Sequence, residues 1–437
     1  MKIDTRRISA ALIGLAVLAS FTAAAQETAD DVDAPSPDQQ YQSGYDKVPQ
    51  FGGPDGPSAE LKRNDEKRLA KYEWEGMQRA FAPYFDWKRW LIEEYGVSFG
   101  MQFYLLGQFA SNSLEDKDAL GSIFRFNGSW TLFNRGSNDP GRIEWRLEAR
   151  SNSFGQQAPM TLSGNIGAAS LNTGFPYTEE FDLDLAVINW TQGFRDSTVG
   201  VAVGRLAFDV YLDAMPFQTI GRGFINRGVI LNPSIATTGI GAVGAVAKGM
   251  VGEKLWIGGQ IHDANAKNGE FDLDTVQEGE WLSAIEVGWT PSFADRNTKR
   301  IQFTYWHKDR IDLTGTPGGK GWAVSAAWKL SDRYFPFLRF GHSDGGGGAA
   351  AESAFSAGVE ITRKFDEVWS LGFAWAKPSE LAVGPDADDE YMIETSYKFQ
   401  LAKNFSITPD LQVLFNPANN PSKSSVIVGG IRFILTL

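Results

Sequence analysis

The sequence predicts an all-β chain: a 16-stranded antiparallel up-and-down transmembrane β-barrel with a short N-terminal helical segment. Three observations carry this. Apolar and polar residues alternate with a period of two in sixteen separate segments. The connections between those segments alternate between long and short. The chain also opens with an export-type leader and holds no cysteine among its 437 residues.

The clearest of the sixteen segments is Arg-Ile-Glu-Trp-Arg-Leu-Glu-Ala-Arg, residues 142–150. Alternate side chains of a strand point to opposite faces. Ile143, Trp145, Leu147 and Ala149 therefore share one face, and Arg142, Glu144, Arg146, Glu148 and Arg150 share the other. A soluble sheet with a polar outer face would also do this, so the weight rests on recurrence.

In chain order, residues 1–25 read as a signal peptide. Lys2, Arg6 and Arg7 precede an apolar run from Ile8 to Phe21, and Ala23-Ala24-Ala25 offers a cleavage site. Residues 26–95 read as an N-terminal arm with short periplasmic helices. Within them 26–58 is Pro- and Asp-rich and extended, and 59–82 has dense mixed charge and some helical character. Trp87 to Tyr95 forms a short helix that Gly96 stops. Residues 96–437 read as the barrel.

The period-2 segments run 97–110, 122–133, 142–150, 181–190, 198–205, 237–247, 255–263, 282–290, 300–308, 321–330, 336–342, 355–362, 368–376, 389–400, 404–414 and 426–437. The run 237–247 is too rich in Gly and Ala for its faces to be assigned. The connections 111–121, 151–180, 206–236, 264–281, 309–320, 343–354, 377–388 and 415–425 each hold eleven residues or more. Those between them hold nine or fewer and carry turn residues, as in Asn-Arg-Gly-Ser-Asn-Asp-Pro-Gly at 134–141. Outer-membrane barrels have short periplasmic turns and longer external loops. In lipid every backbone polar group must be paired, so a spanning sheet closes. Sixteen strands leave an aqueous lumen. Trp130, Phe133, Trp289, Trp328, Trp369, Trp375, Tyr397 and Phe399 suit the interfacial aromatic girdles on the outward face.

Composition excludes several functions. With no cysteine there is no disulfide and no thiolate metal site. Three histidines, His262, His307 and His342, make a His-rich metal site improbable, and a net charge of −12 argues against nucleic acid as a partner. Gly345 to Gly348 is followed by no Gly-Lys-Ser/Thr, and the acidic run 386–390 reads as a solvated loop rather than a calcium site. No metal site, cofactor or catalytic set is expected.

A passive pore needs a wall whose groups replace water around a solute without holding it. Strand parity places Arg125, Arg142, Glu144, Arg146, Glu148, Arg150, Arg300, Trp306, Lys308, Arg339, Glu360 and Glu394 on the lumen side. Loops 151–180 and 206–236 are long enough to fold inward, and the second presents Arg222 and Arg227. Parity aims Arg205 at lipid with Val199, Val201 and Val203, unless a bulge at Gly204 redirects it.

The chain resembles the carbohydrate-selective outer-membrane porins of the OprB family over most of residues 85–437. The residues that carry the likeness are Trp87-Lys88-Arg89-Trp90-Leu91-Ile92-Glu93-Glu94-Tyr95-Gly96-Val97, Val203-Gly204-Arg205-Leu206 and Gly258-Gly259-Gln260-Ile261-His262-Asp263-Ala264-Asn265. The ending adds Ile407-Thr408-Pro409-Asp410-Leu411-Gln412, Asn416-Pro417-Ala418 and Gly429-Gly430-Ile431-Arg432-Phe433, the most specific of the set. Two features depart from the pattern. The chain ends in Leu437 rather than an aromatic residue, and 26–84 is long for a plain pore.

The resemblance implies a channel for monosaccharides and similar neutral solutes. The partners that follow are small sugars, outer-membrane lipid, the barrel assembly machinery and a homotrimer. Other readings are a channel for anionic solutes or acidic oligosaccharides, an outer-membrane enzyme, and a surface structural protein.

Overall fold

The computed structural model describes residues 52–65, 70–72, 75–152, 155–267 and 274–437. The leader expected over 1–25 and the arm as far as residue 51 lie outside the described residues.

Among the described residues two helices precede the sheet, α1 (Pro57–Asp65) and α2 (Glu75–Tyr95). Sixteen strands follow. The first eight are β1 (Val97–Ala110), β2 (Asp118–Phe133), β3 (Gly141–Ser151), β4 (Phe181–Phe194), β5 (Val199–Leu206), β6 (Ala242–Val251), β7 (Leu255–Asp263) and β8 (Trp281–Trp289). The rest are β9 (Lys299–Lys308), β10 (Gly319–Trp328), β11 (Tyr334–Ser343), β12 (Ala351–Thr362), β13 (Val368–Pro378), β14 (Glu390–Ala402), β15 (Phe405–Phe415) and β16 (Ser425–Thr436). Each strand pairs with its sequence neighbours, and β1 closes the ring on β16 from Gln102↔Thr436 to Ala110↔Val428. Leu437 exchanges both backbone hydrogen bonds with Met101 at 2.8 Å, so the seam is sealed to the final residue. Closure leaves no unpaired edge, as a sheet in lipid requires.

All sixteen period-2 segments are strands, with shifted ends. The largest displacement is β6, which occupies 242–251 rather than 237–247. A Gly/Ala run offers no facial contrast, so nothing local fixed where it began. β2 and β12 start earlier than their patterns suggested, which shortens the loops 111–117 and 344–350 to seven residues each. The alternation of loop-side and turn-side connections survives, but not every loop exceeds every turn.

Two expectations about residues 26–95 need correction. Helix α1 is not periplasmic: it lies inside the barrel, with Leu61 against Gly100 and Glu60 fully buried. Helix α2 is 21 residues long and runs through Pro83. An interior proline costs a helix about 3 kcal/mol. Packing of Tyr84 and Trp87 on Phe99 of β1, at ring separations of 6.2 and 5.5 Å, opposes that cost.

The interior is not uniformly wet. Loops 152–180 and 207–241 both fold inward. Leu162, Leu171, Phe217, Phe224 and Val229 form a dry cluster with inward-facing Phe337, Ala374, Met392, Leu414 and Val428. The sequence carried a sign of this. Val426-Ile427-Val428 is apolar on both faces, as suits a strand with the barrel's outer surface on one side and a dry cluster on the other.

Candidate functional site

The polar face of β3 points inward as its alternation requires. Arg142, Glu144, Arg146, Glu148 and Arg150 are buried, and Trp145 and Leu147 lie on the opposite face. What covers them is the segment 52–65, a strap laid along the inner wall of β1–β3. Ser58 Oγ donates to Glu144 at 2.5 Å. Glu60 accepts from Arg125 at 2.9 Å and from Asn127 at 2.6 Å. Asp55 pairs with Arg125 at 2.9 Å and Arg146 at 3.2 Å, and its carbonyl also accepts from Arg146. Glu148 completes the set, 2.8 Å from Arg125 and 2.7 Å from Arg150.

Three guanidinium groups thus face three carboxylates, two of which come from the strap. Burial alone would raise the pKa of Asp55, but Arg125 and Arg146 outweigh it and hold the carboxyl well below its usual range. At Glu60 burial outweighs the same two cations and the pKa is raised.

Loop 207–241 is fastened by inward-facing charges on the far wall. Arg339 donates to Val229 O (3.3 Å), Ile230 O (2.8 Å) and Asp213 Oδ2 (2.8 Å). Arg432 donates to Phe224 O at 3.1 Å and to the carbonyls of Arg222 and Gly223. Glu394 accepts from Ile225 N at 2.6 Å, and Glu286 from Asp213 N at 3.1 Å. Lys308 donates to Thr237 O at 2.9 Å, while Trp306 is fully buried with Phe208 and Ile235. Loop 152–180 is held in the same manner, with Glu390 accepting from Ala169, Ser170 and Leu171 backbone N–H groups at 2.7, 2.8 and 3.1 Å.

These contacts revise the roles of several lumen candidates. Arg339, Glu394, Trp306 and Lys308 are inward-facing as parity demanded, but they are spent on holding loops. Glu360 is paired with Arg222 at 2.5 Å. Arg300 lies 3.7 Å from Glu286 and its guanidinium is 5.0 Å from the Trp256 ring. Arg205 is buried rather than lipid-facing and pairs with Asp184 at 3.1 Å. The β5 register is unbroken, so no bulge accounts for this; the neighbouring Gly204 sits at φ +134°, a conformation that only glycine adopts readily. Sequence reasoning missed Asp55, Glu60, Asp213, Glu286 and Arg432. Of these Arg432 and Glu286 carried a local signal, as the charged residues between Ile431 and Phe433 and between Ile285 and Val287 on their strands.

Two cavities lie on either side of the strap. The turn-side cavity, about 670 Å³, is lined by Gly52, Gly53 and Pro54 of the strap and by Asn138, Asp196 and Phe293 of the short turns. Its cations are Lys62, Arg63, Arg222, Arg296 and Arg300. The loop-side cavity, about 190 Å³, is lined by Asp55, Arg125, Arg146, Arg150, Arg227 and Asp209 among others. Burial, reinforced by Asp55, pushes the Asp209 carboxyl up to about 6.

The strap meets loop 207–241 between the cavities, where Gly53 N donates to Val210 O at 2.6 Å. A Cβ on Gly53 would lie 3.0 Å from the Ala214 Cβ. Disulfides need Cβ atoms about 3.5–4.5 Å apart, so slight relaxation suffices for a G53C/A214C pair. Because the chain has no cysteine, mild oxidation should give one new mobility shift on non-reducing gels, absent from either single variant. Failure to cross-link would mean that the strap does not dwell on this loop.

On the outer face His342 Nδ1 lies 3.0 Å from Ser353 Oγ. The adjacent acid, Glu352, is taken up by Lys377 at 2.7 Å and Glu380 N at 3.2 Å, so it does not orient the imidazole as a hydrolytic triad would.

Residues 353–437 match the family model described as carbohydrate-selective porin, OprB family. The porin AaxA of Chlamydia abortus is 21% identical over 316 residues, covering 70% of this chain and 68% of its own. AaxA of Chlamydia felis is 23% identical over 323 residues, with the same coverage. Among solved structures, OprB of Pseudomonas putida at high pH superposes with a TM-score of 0.61 at 13% identity, covering 85% of this chain and 99% of that one. The chain thus folds as the closed sixteen-stranded barrel of the solved OprB porin, and its C-terminal strands match the family model of the carbohydrate-selective OprB porins.

Proposed function

We propose that this protein is an outer-membrane porin for passive, carbohydrate-selective diffusion of monosaccharides and similar small polar solutes. The observation that carries the reading is the pair of cavities on either side of the strap, each lined by guanidinium groups beside carboxylates and amides. Such groups match sugar hydroxyls as donors and acceptors, and several weak sites in series favour passage over retention. Within this reading Arg125, Arg146, Arg150, Arg222, Arg227 and Arg300 touch solute, since they line the cavities. Arg142, Glu144, Glu148 and Glu360 support them from the wall, and Arg205 acts through Asp184.

One observation favours a second reading. The turn-side cavity sets five cationic side chains against Asp196 as its lining carboxylate, which suits anionic solutes or acidic oligosaccharides. Swelling of liposomes in glucose against matched glucuronate separates the two. Faster entry of glucose supports the first reading, and faster entry of glucuronate replaces it with the second. Leader cleavage near Ala25, insertion by the barrel assembly machinery and a homotrimer belong to the same proposal. N-terminal sequencing and mass measurement in detergent test the first and last of these.

A further inference from the structure

Helix α2 has three sides. One faces the barrel: Lys88 is buried, its Nζ 5.6 Å from the Phe99 ring and 3.7 Å from Asp65, and Tyr84 meets Phe99 edge-on. The last turn is clamped there as well. Trp130 Nε1 donates to Tyr95 O at 3.2 Å and Arg135 Nη1 to Glu94 O at 2.9 Å. Phe99 and Trp130 both lie on the outward face of the wall. The helix therefore rests against the outside of the barrel at its turn-side end. A second side, centred on Arg89 and Glu93, is polar, with Asp86 and Arg79 on its border next to Trp90. On the third, at helical spacing from one another, Trp87 and Trp90 stand 51% and 49% exposed.

We propose that α2 is an in-plane membrane helix whose Trp87 and Trp90 sit among the phospholipid headgroups of the leaflet on the turn side. Continuity with the barrel's lipid-facing surface identifies the occupant. The Trp87 ring contacts Phe99 at 5.5 Å, and Phe99 contacts Phe126 at 5.8 Å, which also faces outward. Trp90 contacts Tyr95 at 5.3 Å, and the Tyr95 carbonyl is bonded to Trp130. Helix and wall thus share one unbroken aromatic surface at the level where tryptophan is favoured in membranes. The helix is not apolar enough to cross the membrane, and one polar and one aromatic side are what an interfacial helix needs. A water-facing helix has no use for two half-bare indoles beside a lipid belt.

The test uses single-cysteine variants of the full chain, W90C and R89C, each labelled with an environment-sensitive fluorophore and reconstituted in phosphatidylcholine vesicles. Lipids carrying a shallow nitroxide serve as quenchers. The label at 90 is expected to emit further to the blue and to be quenched several-fold more strongly than the label at 89. Equal, water-like emission at both sites overturns the proposal. Shielding of site 90 only at high protein density, without lipid quenching, also overturns it and assigns the face to a second copy of the chain. W87C replaces W90C if the latter fails to insert. The readout is lipid contact rather than transport, so it stands apart from the solute reading.

Discussion

A D55N/E60Q double variant is expected to show larger single-channel conductance and a shift toward anion selectivity. The strap supplies two of the three carboxylates that face Arg125, Arg146 and Arg150. With both neutralised, Glu148 alone remains to balance three buried cations. Breaking a buried ion pair from one side costs about 3–5 kcal/mol, enough to lower the docked-to-undocked ratio of the strap by about 100-fold or more. The strap then leaves the wall, the two cavities merge, and the exposed guanidinium groups attract anions. Planar-bilayer recording in a salt gradient checks both parts, through unitary conductance and reversal potential. Unchanged values would show that the strap neither narrows the lumen nor screens its charge.

Arg339→Ala is expected to loosen loop 207–241 and destabilise the barrel. Arg339 donates to two loop carbonyls and to Asp213, and both side chains are almost wholly buried. Its removal leaves the buried Asp213 carboxylate beside Gln302, at 2.9 Å, without its ion-pair partner. The cost should be about 3–5 kcal/mol. The largest local consequence should be protease cleavage within 207–241 at concentrations that leave the native chain intact. The double variant R339A/D213A should recover part of the stability, because no buried charge is then left alone. Thermal unfolding in detergent with limited proteolysis measures both. Cleavage kinetics equal to wild type would assign the loop's position to its apolar cluster instead.

The barrel was legible because its determinants are local. Alternation over nine residues aimed the charges of β3, and turn chemistry marked every return. Where the local signal failed, the strands moved. The Gly/Ala run of β6 had no faces to read, and β12 began earlier than its pattern suggested. At Arg205 parity predicted lipid contact, whereas the side chain is buried against Asp184.

The wall residues were legible only as to side, not as to task. Arg339 and Arg125 look alike in sequence, each an inward charge between outward apolar residues. Arg339 holds a loop, and Arg125 borders a cavity. Nothing near either residue in the chain distinguishes them.

The sequence by itself determined how many strands there are, which way most of the wall side chains point and which end bears the long loops. Periodicity and turn propensity act over a few residues, so they survive in a string of letters. Only the tertiary structure decided which inward charges meet solute. Arg125 finds two of its acids 65 and 70 residues away, in a strap that could as well have hung below the membrane. The partner of a buried charge is set by what the closed barrel brings within hydrogen-bond reach, and no spacing along the chain encodes that distance.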